Sequence, residues 1–396
     1  MRRILSLLLL VSILLTSCTN LENAGLSEQN KETAKNKDDT QKATDTTTQK
    51  TPDKAPETIK IVKPYDDIRY FEDSDRKKIF EEGEYDKKDI VTFTFNKETV
   101  LKGSEDLQEQ IMENGKNPGL GIRDIHKQGI TGKGVNVAII DQNLLLNHPE
   151  FSGKIAAYYD TGCEMEEGTG SMHAPAVTSL LVGDTIGVAP DAKVYFAAAP
   201  SWTGDSEFYA KGLYWIIEEN KKLPEGEKIR VVSVSAAPSG KGSPFTKNLE
   251  MWDEAVIAAQ NEGILVLDCR GGENTGIIAP AFYDPEDPNN ISKCKGGFPS
   301  RSSYVIPDSK IGTPNSYRTV AEEYTEGTPS YQYTGQGGLS WSIPYAAGVL
   351  ALGWQIKPDL DKDQIVEILF NTCSKSDDGS NIINPPAFID AIQKLK

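Results

Sequence analysis

This sequence predicts an α/β fold: a mostly parallel central sheet with helices on both faces. Three observations predict it. Short apolar, β-branched runs recur between residues 136 and 268, helical patterns separate them, and the first run is bounded by Gly134 and Asp141. In chain order, Asn136 to Ile140 is a continuous apolar run bounded by Gly134 and Asp141, which reads as a strand buried on both faces. Ala174 to Leu181 reads as a helix and Val194 to Ala198 as the second strand. A helical pattern from Phe208 to Asn220 leads to the third strand, Arg230 to Ser235. The helix Asn248 to Glu262 ends at Gly263, a helix-stop signal, and Ile264 to Asp268 is the fourth strand. Alternation of this kind implies a parallel sheet, and sites in such folds lie at the carboxyl ends of the strands. Further on, Pro344 to Lys357 is an apolar helix stopped by Pro358, with Pro344 in its first turn. Residues 277–337 are rich in Pro, Gly, Asn and Ser and read as long surface loops. Upstream, Ile90 to Phe95 alternates with period two and reads as a strand.

Composition narrows the function. The chain has 396 residues, 38% apolar and 25% charged, which supports a sizeable core. Asp and Glu number 58 against 42 Lys and Arg, a net charge of −16. That excess argues against a nucleic-acid partner and against attraction to anionic lipid. Only three histidines occur, His126, His148 and His173, so any histidine chemistry must choose among them.

The first residues read as a targeting segment. Arg2 and Arg3 precede a largely apolar stretch, Ile4 to Leu15, too short for the ~20 residues of a membrane span. It ends in Leu15-Thr16-Ser17-Cys18, which resembles a bacterial lipobox. That resemblance implies a lipoprotein signal peptide over residues 1–17 and a lipidated Cys18. The protein would then be extracytoplasmic and held to the cell membrane only through the N-terminal lipid. Residues 18–60 read as a disordered tether: of the 42 residues from 19 to 60, seven are apolar and none is aromatic, too few to offset the entropy of ordering. Residues 61–118 form a charged N-terminal extension or pro-segment, and 119–396 the main folded domain. Besides Cys18 there are four cysteines, Cys163, Cys269, Cys294 and Cys373; sequence does not choose between disulfides and buried thiols.

The chemistry is concentrated at three positions. Asp141 stands at the carboxyl end of the first strand. His173 opens a helical stretch after Glu167-Gly168-Thr169-Gly170-Ser171. Ser340 follows Gly335-Gln336-Gly337-Gly338-Leu339 and lies just before the helix at Pro344, where N–H groups and the helix dipole favour a developing anion. A hydroxyl nucleophile suits that position. The order Asp, His, Ser, with separations of 32 and 167 residues, resembles the subtilisin-type (subtilase) serine proteases. Val137-Ala138-Ile139-Ile140-Asp141 with Asn147-His148-Pro149-Glu150-Phe151 resembles the family's aspartate block, and Ser171 to Val177 its histidine block, with Ala174-Pro175 in place of the usual Gly-Thr. Gly338 to Gly348 keeps the serine block's frame Gly-x-Ser-x-x-x-Pro-x-x-x-Gly.

The resemblance implies a subtilisin-like fold over about residues 121–396 and peptide-bond hydrolysis by acyl transfer. Ser340 would be the nucleophile, His173 the general base and acid, and Asp141 the group that orients the imidazole. The family places an oxyanion-binding asparagine after the fourth strand. Here a direct register puts Gly271 at that position, so Asn274, a backbone group or another side chain is left to act. Ser235, Ala236 and Ala237 fall where the family lines its substrate pocket. Protein or peptide substrates and a monomer are expected. No cofactor is required; calcium is common in the family, but Asp284 to Asp287 reads as a solvated loop and no metal ligand set stands out. The alternative function is a catalytically weak or inactive subtilase-fold binding lipoprotein.

Overall fold

The structure, a computed structural model, describes residues 63–69, 78–80, 85–270 and 276–395. The expected signal peptide, Cys18 and the tether lie outside the described residues.

Five parallel strands form the central sheet: β1 (Asn136–Asp141), β2 (Ile155–Asp160), β3 (Lys193–Ala198), β4 (Ile229–Val234) and β5 (Leu265–Asp268). Their spatial order is β2-β3-β1-β4-β5. Register pairs Asp141 with Ala198, Asp160 with Ala198, and Val234 with Asp268, so the carboxyl ends form one edge. The chain builds to one side of β1 and then crosses to the other, which opens a crevice at that edge. Alternate β1 residues face opposite cores: Val137 and Ile139 one, Ala138 and Ile140 the other. Helices α1 (His173–Val182) and α4 (Leu339–Ile356) fill the first core; α2 (Ser206–Lys222) and α3 (Leu249–Asn261) fill the second. β2 is absent from the sequence reading because it is an edge strand, half exposed, with no uninterrupted apolar run.

Two expectations are corrected. Residues 277–337 are only in part surface loops. They contain the strands Ile278–Phe282, Ile311–Pro314, Arg318–Glu322 and Ser330–Thr334. Thr313, Asn315, Ser316, Arg318 and Thr319 are buried with their polar atoms bonded, so a polar composition here marks an interior. Ile90 to Phe95 is not a strand throughout. Asp86 caps a short helix, Lys87–Ile90, through the backbone N–H groups of Lys88 and Asp89, and extended chain begins only at Thr94–Asn96.

That strand joins Ser330–Thr334 and Arg318–Glu322 in a three-stranded antiparallel sheet. Cys163, Cys269, Cys294 and Cys373 form no disulfide with one another, and burial pushes the thiols of Cys163, Cys294 and Cys373 up to about 12. For those three, burial thus disfavours the thiolate, the reactive form.

Within the small sheet Glu322 is buried, accepting from Asn96 Nδ2 at 3.2 Å and from the Tyr324 hydroxyl at 3.0 Å. Burial pushes its carboxyl up to about 7, against the pull of Arg69. In the unfolded chain it titrates near ~4.3. The folded state thus holds a proton that the unfolded chain has lost, so this contribution to stability is full below the unfolded pKa and disappears as pH rises through about 7. Glu322→Gln should stabilise the protein more at pH 8 than at pH 5, by a difference on the order of 2–3 kcal/mol in urea unfolding. Equal shifts at both pH values would contradict this.

Candidate active site

The strand order fixes the first functional group. β1 is buried along its length and delivers Asp141, 2% exposed, to the carboxyl edge of the sheet. Its Oδ1 accepts the backbone N–H of Gln142 at 2.8 Å. The imidazole of His173 meets the same carboxylate, with Nδ1 at 2.8 Å from Oδ1 and 3.0 Å from Oδ2. Nδ1 therefore carries a proton toward the carboxylate. His173 is the first residue of α1, and Ser171 fixes where that helix starts: its hydroxyl donates to the Asn143 carbonyl at 2.8 Å and accepts the Ala174 N–H at 3.2 Å. One serine thus ties the aspartate loop to the histidine helix. Pro175 sits in the first turn, where a missing N–H costs nothing.

Ser340 is set by α4, buried from Ser340 to Trp354. The expected start at Pro344 is corrected: the helix begins at Leu339, with Gly338 as N-cap, so Ser340 is in the first turn and Pro344 is internal. An internal proline leaves the carbonyl four residues earlier without its donor. Here that carbonyl belongs to Ser340, and the Ser235 hydroxyl takes the vacant place at 2.8 Å. The Ser340 hydroxyl in turn donates to the Ser235 carbonyl at 3.2 Å. Because Ser340 is in the first turn, its own N–H has no intrahelical acceptor. Next along the helix, Trp341 packs its indole on His173, ring centroids 5.5 Å apart. Asp141 and His173 are thus in contact, and Ser340 follows at the neighbouring helix start with its hydroxyl on Ser235. Gly348 lets α4 pass close to the chain after α1: a Cβ there would lie 2.6 Å from Val188 Cβ.

Ser235, Ala236 and Ala237 run from Ser340 toward β5. The Ala236 carbonyl accepts the Cys269 N–H at 2.9 Å and the Ala237 carbonyl accepts the Ser243 hydroxyl at 2.6 Å, so what they offer a ligand is space beside small side chains. Beyond them, Arg270 binds Asp268 at 2.6 Å and Asp253 at 2.8 Å. Sequence reading missed this cluster, in which Asp268 is buried and Asp253 exposed, because only the fold brings Asp253 to Arg270. Asn274 lies outside the described residues.

The remaining histidines have other partners. His126 bonds the Val188 carbonyl at 2.8 Å. His148 donates from Nε2 to the Ser330 carbonyl at 2.9 Å and accepts the Glu150 N–H at Nδ1, and burial holds its pKa below the usual value. Asp284 and Asp287 are paired with Lys293 at 3.3 and 3.1 Å. Among the described residues no group of three or more His, Cys, Asp or Glu side chains is placed to hold a metal ion.

Residues 132–384 match the profile of the subtilase family. The chain belongs to that family. This subtilase is similar to the serine protease AprX of Bacillus subtilis, 27% identical over 296 residues that cover 64% of this chain and 65% of AprX. It is 27% identical to the M-protease of Shouchella clausii over 66% of each chain, and 26% identical to subtilisin Savinase of Lederbergia lenta over 66% of this chain and 93% of that one. It thus spans about two-thirds of the length of AprX and the M-protease. Among solved structures it shares its fold with the subtilase cytotoxin SubAB, with a TM-score of 0.52 and 15% identity over 70% of this chain and 95% of that one. A protease from Pseudoalteromonas arctica gives 0.51 and 19%, over 70% and 95%.

The Ser235–Ser340 exchange is testable in this subtilase. Ser235→Ala leaves the Ser340 carbonyl buried without a donor, and should cost about 1–3 kcal/mol in urea unfolding. An unchanged midpoint would mean that another donor reaches it.

Proposed function

We propose that this subtilase is an extracytoplasmic serine endopeptidase, anchored by a lipid on Cys18 and hydrolysing protein or peptide substrates by acyl transfer. The observation that carries the reading is the Asp141–His173 contact at 2.8 Å, beside the helix start that bears Ser340. In this reading the Ser340 hydroxyl exchanges the Ser235 carbonyl for Nε2 of His173. Ser340 Oγ attacks the substrate carbonyl as its proton passes to the imidazole, and Asp141 stabilises the resulting cation. The tetrahedral oxyanion accepts the Ser340 N–H and one further donor, Asn274 or a backbone group. His173 then protonates the leaving amine. Water, deprotonated by the same imidazole, releases the acyl group and restores the hydroxyl. The small residues Ser235 to Ala237 leave room for the substrate side chain.

A subtilase-fold binding protein with little turnover is the second reading. What favours it is the Ser340 hydroxyl resting on the Ser235 carbonyl. Fluorophosphonate labelling separates the two. The peptidase reading expects labelling that vanishes in Ser340→Ala, with casein turnover lower on the order of 10⁶-fold. Asp141→Asn should keep the shape of the site but favour the wrong tautomer of His173, lowering kcat roughly 10⁴-fold. A folded protein that takes up no probe abandons the enzyme. For the anchor, incorporation of an alkyne fatty acid should disappear in Cys18→Ala.

A further inference from the structure

The three-stranded sheet stands directly behind the catalytic pair. Its inner strand, Arg318–Glu322, lies on α1, where the Ala321 N–H donates to Ser179 Oγ at 3.0 Å. Its middle strand, Ser330–Thr334, touches both blocks of the site. The Ser330 carbonyl accepts from His148 in the aspartate loop, and Gln332 Nε2 donates to Sδ of Met172, the residue before His173, at 3.5 Å. The outer strand is Thr94–Asn96, from the segment upstream of the family match, with Gln332 opposite Asn96 and Tyr333 opposite Phe95.

Three further carbonyls of that upstream segment bind it to the sheet. The Val91 carbonyl accepts the Tyr333 hydroxyl at 3.0 Å, and the Phe93 carbonyl accepts the Gly335 N–H at 3.0 Å. Gly115, at the C-terminal end of the helix Glu105–Asn114, accepts the Thr319 N–H at 2.9 Å and Nε of Arg318 at 3.2 Å. Arg318 is 1% exposed, and its other bond is to the Ile186 carbonyl at 2.8 Å. A helix C-terminus carries partial negative charge, so this helix end offsets a buried cation. Further upstream, Asp67 pairs with Arg69, whose guanidinium donates to Gln332 Oε1. Ile90, Phe93, Phe95, Leu101 and Ile111 lie in the same core as Val177 and Leu180 of α1.

A removable pro-segment leaves behind a surface that is complete without it. Taking this one away would open a sheet edge, strip apolar side chains from the main core and remove a partner from the buried charge of Arg318. We infer that the segment Tyr85–Asn117, with Asp67–Arg69 docked on it, stays in the working enzyme as part of its catalytic framework, and that Gln332, gripped by Arg69, is a positioning residue for His173. Only the kinetic and labelling arms of the test rest on the peptidase reading.

The test uses the full chain. Limited proteolysis of the Ser340→Ala protein, which cannot process itself through this site, should leave residues 85–395 in one resistant fragment. A stable fragment that starts near residue 119 overturns the inference, whether or not the protein is an enzyme. In the active protein, the chain carrying the fluorophosphonate, mapped after denaturation, should contain Thr94 to Leu101. A labelled chain that begins after Asn117 overturns it. Gln332→Leu should lower kcat about tenfold with KM within twofold, and move the acid limb of the pH–rate profile. Arg69→Met provides the same comparison if Gln332→Leu does not fold. A folded variant with unchanged kcat and pH profile overturns the positioning role.

Discussion

A carboxylate at the end of a buried strand must find donors within the protein, because water does not reach it. Asp141 finds two, the Gln142 N–H and Nδ1–H of His173. The first comes from the next residue along the chain and fixes the carboxylate. The second must be brought from another element, so the placement of α1 decides whether the site exists. The elements around the carboxyl edge bear on that one placement: Ser171 ties the helix start to the aspartate loop, α4 packs beside it, and the small antiparallel sheet closes it from behind.

The serine is held by a different device. An internal proline weakens a helix by removing one backbone bond. At Pro344 the loss falls on the carbonyl of Ser340, and Ser235 makes it good from a neighbouring strand end. The defect thus becomes the link between the helix of Ser340 and the strand end at Ser235. The proline of the serine block is therefore a tertiary contact as much as a local signal. Trp341 adds an aromatic face to His173, so the helix that presents the hydroxyl also flanks the imidazole.

Strands β1, β3, β4 and β5 were legible because each is dominated by a short apolar, β-branched or aromatic run, the pattern a largely buried strand needs. The helices between them were legible to within one or two residues, helped by signals such as Gly263. The edge strand Ile155–Asp160 was not, because an edge strand with mixed exposure has no distinct pattern. The strands inside residues 277–337 were hidden for the opposite reason. Their interior is polar, and only the fold shows that Asn315, Ser316 and Arg318 have partners. Asp141, His173 and Ser340 stood out through strand ends, helix starts and the spacing of small residues around them.

By itself the sequence determined the layered α/β plan, the family resemblance and the three candidate residues, because period, glycine and proline placement and block spacing are local properties of the chain. It did not determine where the helix of Ser340 starts, what supports Met172 and His173, or that residues upstream of the family match complete a sheet. Those depend on contacts between residues such as Arg69 and Gln332, or Gly115 and Arg318, far apart along the chain. A buried charge or an open sheet edge takes its partner from whatever the fold brings within hydrogen-bond distance, and only the tertiary structure sets that distance.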